Sequence, residues 1–367
     1  MGAYALCFAV SALVAYGATY GWRKLAVRIG ALDHGGERHV HDSPVPTAGG
    51  VAMYAGFAVG LGVASLMPTF HSLFHDFYAE PVGILVAATL VMALGVLDDT
   101  RGVTAAGKMA GLVLGGGVLV MSGIQVLFFW VPFVGVISLS PELAAPFTIG
   151  VMLVMANAVN LIDGLDGLAA GVVGIAALAF FFYTYQTDVS FGFAAPSSAA
   201  LVSILVAGAC VGFLPHNFNP ARVFMGDTGA LMLGTILAAA TVSAIGRSTA
   251  PSAADMAAVV APVVIPLLIL GIPIADTVFA VLRRARGGKP VTHADRAHIH
   301  HRLLELGHSH RRAVLILYAW TALFSAASLG LSIPRARGIL YASLMVGVGA
   351  GVYLLGPRAG KAWAKRG

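Results

Sequence analysis

Apolar residues run along this chain in blocks of about twenty, broken by short polar segments, rather than recurring every third or fourth position as on a surface helix. Blocks near 3–21, 48–66, 81–97, 109–127, 144–160, 168–185, 197–214, 229–245, 257–282, 313–331 and 337–355 predict eleven membrane-spanning helices. The fourth is the hardest to bound, because Gly115-Gly116-Gly117 and the aromatic run to Trp130 blur its end. The polar segments near 22–47, 98–108, 161–167, 215–228 and 283–312 read as loops, where functional residues concentrate. No long-period repeat, low-complexity segment or soluble domain interrupts the pattern. Residues 1–367 therefore read as one all-α domain, a polytopic membrane helical bundle.

Composition agrees. With 58% hydrophobic and only 10% charged residues, against roughly 25% charged in soluble domains, the chain is expected to be an integral membrane protein, and its mean hydropathy is +0.87. With the N-terminus outside and the C-terminus in the cytoplasm, all of the 22 Lys and Arg except Arg247, Arg335 and Arg337 fall in cytoplasmic segments, as the positive-inside rule requires. No Lys or Arg precedes the first span, whereas Arg23, Lys24 and Arg28 follow it. A cleavable signal peptide would carry its charge in front. The net charge of +6 is juxtamembrane, which favours anionic lipid head groups and phosphate-bearing substrates as partners over nucleic acid. Cys7 and Cys210 lie inside apolar blocks near opposite membrane faces, so no disulfide is expected and they say nothing of redox compartment.

Three acidic clusters stand at the ends of apolar blocks: Asp98-Asp99, Asp163-Gly-Leu-Asp166 and Gly226-Asp227. A carboxylate at mid-bilayer costs about 2.5–3.5 kcal/mol on insertion scales, so three clusters on one predicted face point to a shared, metal-dependent site at the bilayer surface. Adjacent carboxylates such as Asp98 and Asp99 need a divalent metal, Lys108 or a shared proton between them; the bland alternative is a helix-terminal turn, with Asp capping the next helix at Thr104. In Met155-Ala-Asn-Ala-Val-Asn-Leu-Ile-Asp-Gly-Leu-Asp-Gly-Leu-Ala169, a continuing helix would bring Asn157, Asn160, Asp163 and Asp166 to broadly one face. Polar glue between helices is the alternative there, and a calcium loop is excluded because the D-x-D-x-D ladder and terminal Glu are missing. Asp227, in the turn Phe213 to Gly229, would sit at a helix N-terminus, as a cap or as a ligand. The run His298-Ile-His300-His301-Arg302, with Asp295 before it and His308, His310, Arg311 and Arg312 after it, lacks a zinc-helix spacing and thiolates. It suits phosphate or pyrophosphate recognition better than zinc or a merely solvated loop.

In this order and on one face, the motifs resemble the polyprenyl-phosphate N-acetylhexosamine-1-phosphate transferase family over nearly the whole chain. The resemblance rests on Arg38-His-Val-His41 through Pro46-Thr-Ala-Gly-Gly50, Leu97-Asp-Asp99 with Lys108, Asn160 through Ala169, Phe213 through Gly229, and His298 through Leu303. The stretch Ile299 to Val314 is similar to the actinobacterial branch that makes polyprenyl-diphospho-GlcNAc for cell-envelope glycans. Two positions depart from the family pattern, Ala230 where Ser is usual and His39 where Lys is usual, and neither replaces an expected ligand. The His-Ile-His-His order, in place of three consecutive histidines, argues against the related phospho-MurNAc-pentapeptide translocases.

The resemblance implies transfer of GlcNAc 1-phosphate from UDP-GlcNAc to an undecaprenyl or decaprenyl phosphate, with release of UMP, at the cytoplasmic face of the plasma membrane. It implies Mg2+, with Mn2+ as a substitute, held principally by Asp227. Asp98 or Asp99 would take the lipid phosphate's proton or help hold metal. Asn160, Asp163, Asp166 and Asn217 would receive the nucleoside side, while Lys108, Arg38, His300, His301 and Arg302 would bind phosphates, with His41 and His298 also in the substrate site. A homo-oligomer is compatible with this reading. The rival classes are a secondary transporter, which would place its carboxylates at mid-bilayer in repeated halves, and a non-catalytic scramblase or scaffold, which would need no His-Arg loop.

Overall fold

Helix α1 (Gly2–Ile29) opens the chain and ends on Gly30, whose left-handed φ of 73° turns it into a two-residue ribbon of β1 (Leu32–Asp33) and β2 (Val45–Pro46). There follow α2 (Gly50–Ser65), one 3-10 turn, α3 (His71–His75), α4 (Glu80–Arg101), α5 (Ala105–Met121), the antiparallel β3 (Phe128–Val131) and β4 (Gly135–Ser138), α6 (Pro141–Ile162), α7 (Leu168–Ser190), α8 (Ser198–Asn217), α9 (Gly226–Gly246) and α10 (His310–Ser332). This computed structural model describes residues 1–33, 44–75, 79–131, 135–190, 196–246 and 307–332, with short pieces at 303–304, 338–339, 342–343 and 345–346.

Seven of the described helices are long and apolar enough to cross a membrane, or eight if α2 and the 92° bend after it count as one span. The protein is thus an all-α, multi-pass membrane bundle. The expected spans from 3–21 to 229–245, and the one at 313–331, each fall on a helix. Those at 257–282 and, but for a few residues, 337–355 lie outside the described residues.

Three local readings change. The fourth block stops at Met121, as Ser122 and the left-handed Gly123 end α5, and the aromatic residues after it form β3. Helix α4 runs through Asp98 and Asp99 to Arg101, so the pair belongs to the helix and not to a loop beyond it. Thr104 caps α5 itself, its hydroxyl accepting the Gly107 N–H.

Helix α9 is the hub: 94% of its apolar window is buried, against 28% for α1, and it packs on α2, α4, α6 and α8. A helix that is apolar all round belongs inside a bundle, and small residues let its neighbours approach, as in membrane interfaces generally. The tightest approach is at its N-terminal turn. A Cβ on Gly50 of α2 would stand 2.1 Å from the Gly229 nitrogen, and one on Gly95 of α4 would stand 2.3 Å from the Thr228 Cα. The start of α2 is tied to the same place by Gly49 N–H to Phe224 O (2.9 Å), Gly50 N–H to Met225 O (3.0 Å) and Phe224 N–H to Pro46 O (2.8 Å). These contacts set where the first residues of α9 stand.

Candidate active site

The first N–H groups of any helix lack internal partners. In α9 they are met by a carboxylate from another helix. Asp99, in the last turn of α4, accepts from Asp227 N–H (2.9 Å) with one oxygen and from Thr228 N–H (3.1 Å) and the Thr228 hydroxyl (2.6 Å) with the other. Gly226 makes this docking feasible: its φ is 69°, and a Cβ there would lie 2.2 Å from Asp99 Oδ2. Both oxygens of Asp99 are therefore engaged in orienting the turn that carries Asp227.

Asp98, one residue earlier on α4, accepts the Val103 N–H (2.8 Å), and its other oxygen lies 2.5 Å from Lys108 Nζ. Lys108, in the first turn of α5, also pairs with Asp227 Oδ2. One partly exposed ammonium thus bridges carboxylates of α4 and α9, and the Asp98 and Asp227 carboxyls themselves come within hydrogen-bonding reach.

Asp163 completes the cluster from α6. The helix ends at Ile162, with Asp163 as its C-cap and Asp163 N–H weakly held by Asn160 O (3.3 Å), so the expectation of a continuous helix through 166 is corrected. Two glycines within five residues, Gly164 and Gly167, deprive the next turn of helix propensity. The Asn157 amide instead donates back to Leu153 O (2.8 Å). The Asp163 carboxyl is pushed up to about 8, first by burial and then by the charges of Asp99 and Asp227, while the Gly226 amide opposes the shift. A carboxyl raised in the folded state binds its proton more tightly there than in the unfolded chain. Its contribution to stability is fully present below about pH 4 and is lost as pH rises through about 8. In metal-free buffer the protein is expected to melt at a lower temperature at pH 9 than at pH 6, with Asp163→Asn flattening the difference. Melting curves of the two proteins check this, and an unchanged difference in the variant would assign it to another group.

Asp166 and Asn217 act one layer behind. Asp166, 8% exposed, accepts the Asn219 amide (2.9 Å) and the Ala221 N–H (3.0 Å). Asn217, 2% exposed, accepts the Gly167 N–H (3.1 Å) and donates to Val223 O (2.9 Å). Together they clasp the 163–167 turn to the segment leading into Asp227. Helix α10 braces the clasp from outside: the Tyr318 hydroxyl donates to Gly167 O, and Arg311 Nε donates to Asn219 O (3.0 Å). Sequence reasoning missed Thr228, Tyr318 and Asn219 as site-shaping residues and read Arg311 only as part of the His-Arg run; of the first three, only Asn219, polar within an otherwise tight turn, carried a local signal.

The structure therefore gathers Asp98, Asp99, Lys108, Asp163 and Asp227 at one point, with Asp166 and Asn217 behind and part-buried Asn160 on the last turn of α6. Arg38, His41, His298, His300, His301 and Arg302 lie outside the described residues.

Residues 81–245 match the sequence profile of glycosyl transferase family 4. Over 337 residues the chain is 40% identical to the decaprenyl-phosphate N-acetylglucosaminephosphotransferase of Mycolicibacterium smegmatis, covering 88% of this chain and 81% of the relative. The chain belongs to glycosyl transferase family 4. A probable undecaprenyl-phosphate N-acetylglucosaminyl 1-phosphate transferase of Bacillus subtilis is 35% identical over 84% of this chain and 79% of its own length. A phospho-N-acetylmuramoyl-pentapeptide-transferase of Desulforudis audaxviator is 34% identical over 57% of this chain and 65% of its own. The part of this family 4 chain that matches the profile begins in α4 and ends in α9, so it holds every carboxylate of the cluster and Lys108, while α1, α2 and α10 lie beyond it.

Proposed function

We propose that this protein transfers GlcNAc 1-phosphate from UDP-GlcNAc to a polyprenyl phosphate, releasing UMP and forming polyprenyl-diphospho-GlcNAc. The carrying observation is the convergence of Asp98 and Asp227 on Lys108, with Asp163 beside Asp99 and Asp227, at one end of a membrane bundle, in a chain similar over more than four-fifths of its length to relatives named for polyprenyl-phosphate N-acetylglucosamine 1-phosphate transfer. The higher identity to those relatives, 40% and 35% over most of the chain against 31% for a pentapeptide transferase of similar coverage, and the His-Ile-His-His order favour GlcNAc over MurNAc-pentapeptide.

The reaction joins two anions. A lipid phosphate oxygen attacks the β-phosphorus of the donor, the bond from that phosphorus to the bridging oxygen breaks, and UMP leaves with the electron pair. Catalysis of such transfer is mainly positioning and charge compensation. Lys108 supplies one fixed positive charge between α4, α5 and α9. Asp98, whose second oxygen among the described residues faces this lysine and Asp227, is better placed than Asp99 to take a proton from the lipid phosphate. That duty is light, because a phosphate's second pKa near 6 leaves most of it ionised at neutral pH.

The donor set fits Mg2+ or Mn2+. Among the described residues no three acidic, histidine or cysteine side chains close a metal site unaided, and Mg2+ commonly uses one or two carboxylates, with waters and substrate phosphates completing its shell. Asp227, helped by Asp98 and Asp163, would hold it. Bound there, the cation would polarise the diphosphate and offset the charge of the two anionic substrates. Asp166, Asn217 and Asn160 serve the nucleoside side by shaping the turn before α7. Arg38, His41, His298, His300, His301 and Arg302 are proposed to bind phosphates from the loops. The site faces the cytoplasm at the plasma membrane, as the placement of Lys and Arg favours.

Lys108→Met should leave Asp98 and Asp227 repelling each other. We expect a lower melting temperature without metal, restored by excess Mg2+, while turnover stays about 10²-fold down because a fixed charge at the diphosphate is lost. Recovery of turnover along with melting would limit the lysine to a structural part. The reaction itself is tested by the nucleotide released: UMP in equal amount to lipid product, and only with UDP-GlcNAc, polyprenyl phosphate and divalent metal together. Release of UDP would mean transfer of the sugar without its phosphate.

A further inference from the structure

We propose that the groove between the C-terminal ends of α1 and α8 binds the phosphate head group of an anionic phospholipid through Arg23, His216 and Arg222. This inference uses none of the carboxylates and stands apart from the reaction proposed above.

His216 lies in the last turn of α8, 5% exposed; its ring leans toward the Tyr16 backbone, but neither ring nitrogen reaches hydrogen-bond geometry with it or with any other described group. A buried polar group without a partner is costly, and native proteins rarely leave one. Among the described residues, the charged side chains acting on it are both arginines, Arg23 from α1 and Arg222 from the segment after α8. Arg222 is held beside it by its own N–H to His216 O (2.8 Å). Arg23 is the second oddity, since its Nε is buried and has no partner either. Among the described residues neither guanidinium forms an ion pair. Three donor-rich groups thus converge with no acid among the described residues to meet them, an arrangement that suits a phosphate accepting several hydrogen bonds.

The surroundings select a lipid over a soluble anion. The His216 ring lies against Tyr16, with centroids 4.7 Å apart, and Lys24 sits 4.5 Å over the Tyr20 ring. Half-exposed tyrosines interleaved with Arg23, Lys24 and Arg28 form the aromatic and basic belt that marks a membrane interface. Deeper along the same two helices, Leu13 is 72% exposed and Val211 51% exposed, an apolar wall on which acyl chains can lie. Helices α1 and α8 meet closely there because Gly212 lets the Ala12 carbonyl approach, its notional Cβ only 2.1 Å from that oxygen. The head-group site and the acyl wall therefore share one groove.

The purified full-length protein in mild detergent should be titrated with dioleoylphosphatidylglycerol or dioleoylphosphatidylcholine and followed by native mass spectrometry. The glycerol lipid is expected to bind at least tenfold more tightly. The Arg23→Gln/Arg222→Gln double variant should reduce it to the choline lipid's level, with the lipid-free melting temperature unchanged. Arg222→Gln alone, at an exposed side chain, should give part of that loss if the double variant folds poorly. Equal affinity for the two lipids, or an unaltered preference in the variants, would overturn the proposal. So would displacement of the glycerol lipid by millimolar inorganic phosphate, which would mark a site for free phosphate.

Discussion

Asp227→Asn is expected to lower turnover by at least about 10²–10³-fold, the scale seen when a group that stabilises transition-state charge is removed, while the protein still folds and inserts. Asp227 sits on the first turn of α9 with its N–H on Asp99 and its carboxylate on Lys108. Asparagine keeps the backbone bond and nearly the same volume, so the Asp99 clasp survives. It removes the negative charge that Lys108 pairs with and the hard anionic oxygen a divalent cation prefers. UMP release assayed across a Mg2+ titration, with melting as the folding control, separates the effects. Near-normal activity at ordinary Mg2+ would remove Asp227 from the metal site.

Gly50→Ala is the stability counterpart. The added Cβ would meet backbone atoms, the Gly229 nitrogen at 2.1 Å and its Cα at 2.3 Å, rather than the movable end of a side chain. Relief requires α2 and α9 to separate, which also loosens Gly49 N–H to Phe224 O and Gly50 N–H to Met225 O. Overpacking of a tight core costs about 1–3 kcal/mol and more when backbone must move, so a loss of about 3 kcal/mol or more is expected, with turnover falling as the α9 turn shifts. Gly62→Ala, where a Cβ meets nothing within 4 Å, is the control that should behave as wild type. A Gly50→Ala protein as stable as that control would contradict the tight crossing.

Much of this was legible in the chain because a bilayer demands long apolar blocks with polar ends, and both features are local. The blocks around α1, α4, α6, α7, α8 and α9 and the grouping of acids at their ends needed no tertiary information. What escaped was non-local. Asp98 and Asp99 look equivalent in sequence, and only the placement of α9, more than a hundred residues later, makes Asp99 the partner of its orphan donors and leaves Asp98 to Lys108. Asn217 and Asp166 read as substrate ligands because they are polar and near the motifs, yet both are buried clasps between turns. The periodicity from Asn157 to Asp166 suggested one helical face, but the glycines end α6 before the third of its four polar residues. Tyr318 gave no signal at all, since a tyrosine in an apolar block is ordinary until Gly167 is found beside its hydroxyl.

The central claim, that a sugar phosphate is moved onto a lipid phosphate at this cluster, is tested most directly by the mass of the lipid formed. Purified protein would receive UDP-GlcNAc and UDP-MurNAc-pentapeptide in equal amounts, with decaprenyl phosphate and Mg2+, beside a matched Asp227→Asn sample. The account predicts a single new lipid heavier by one N-acetylhexosamine and one phosphate, formed by the variant at least about 10²-fold more slowly. A lipid carrying the sugar without the extra phosphate, a lipid carrying the pentapeptide, or the same product formed by the variant at a comparable rate would contradict it.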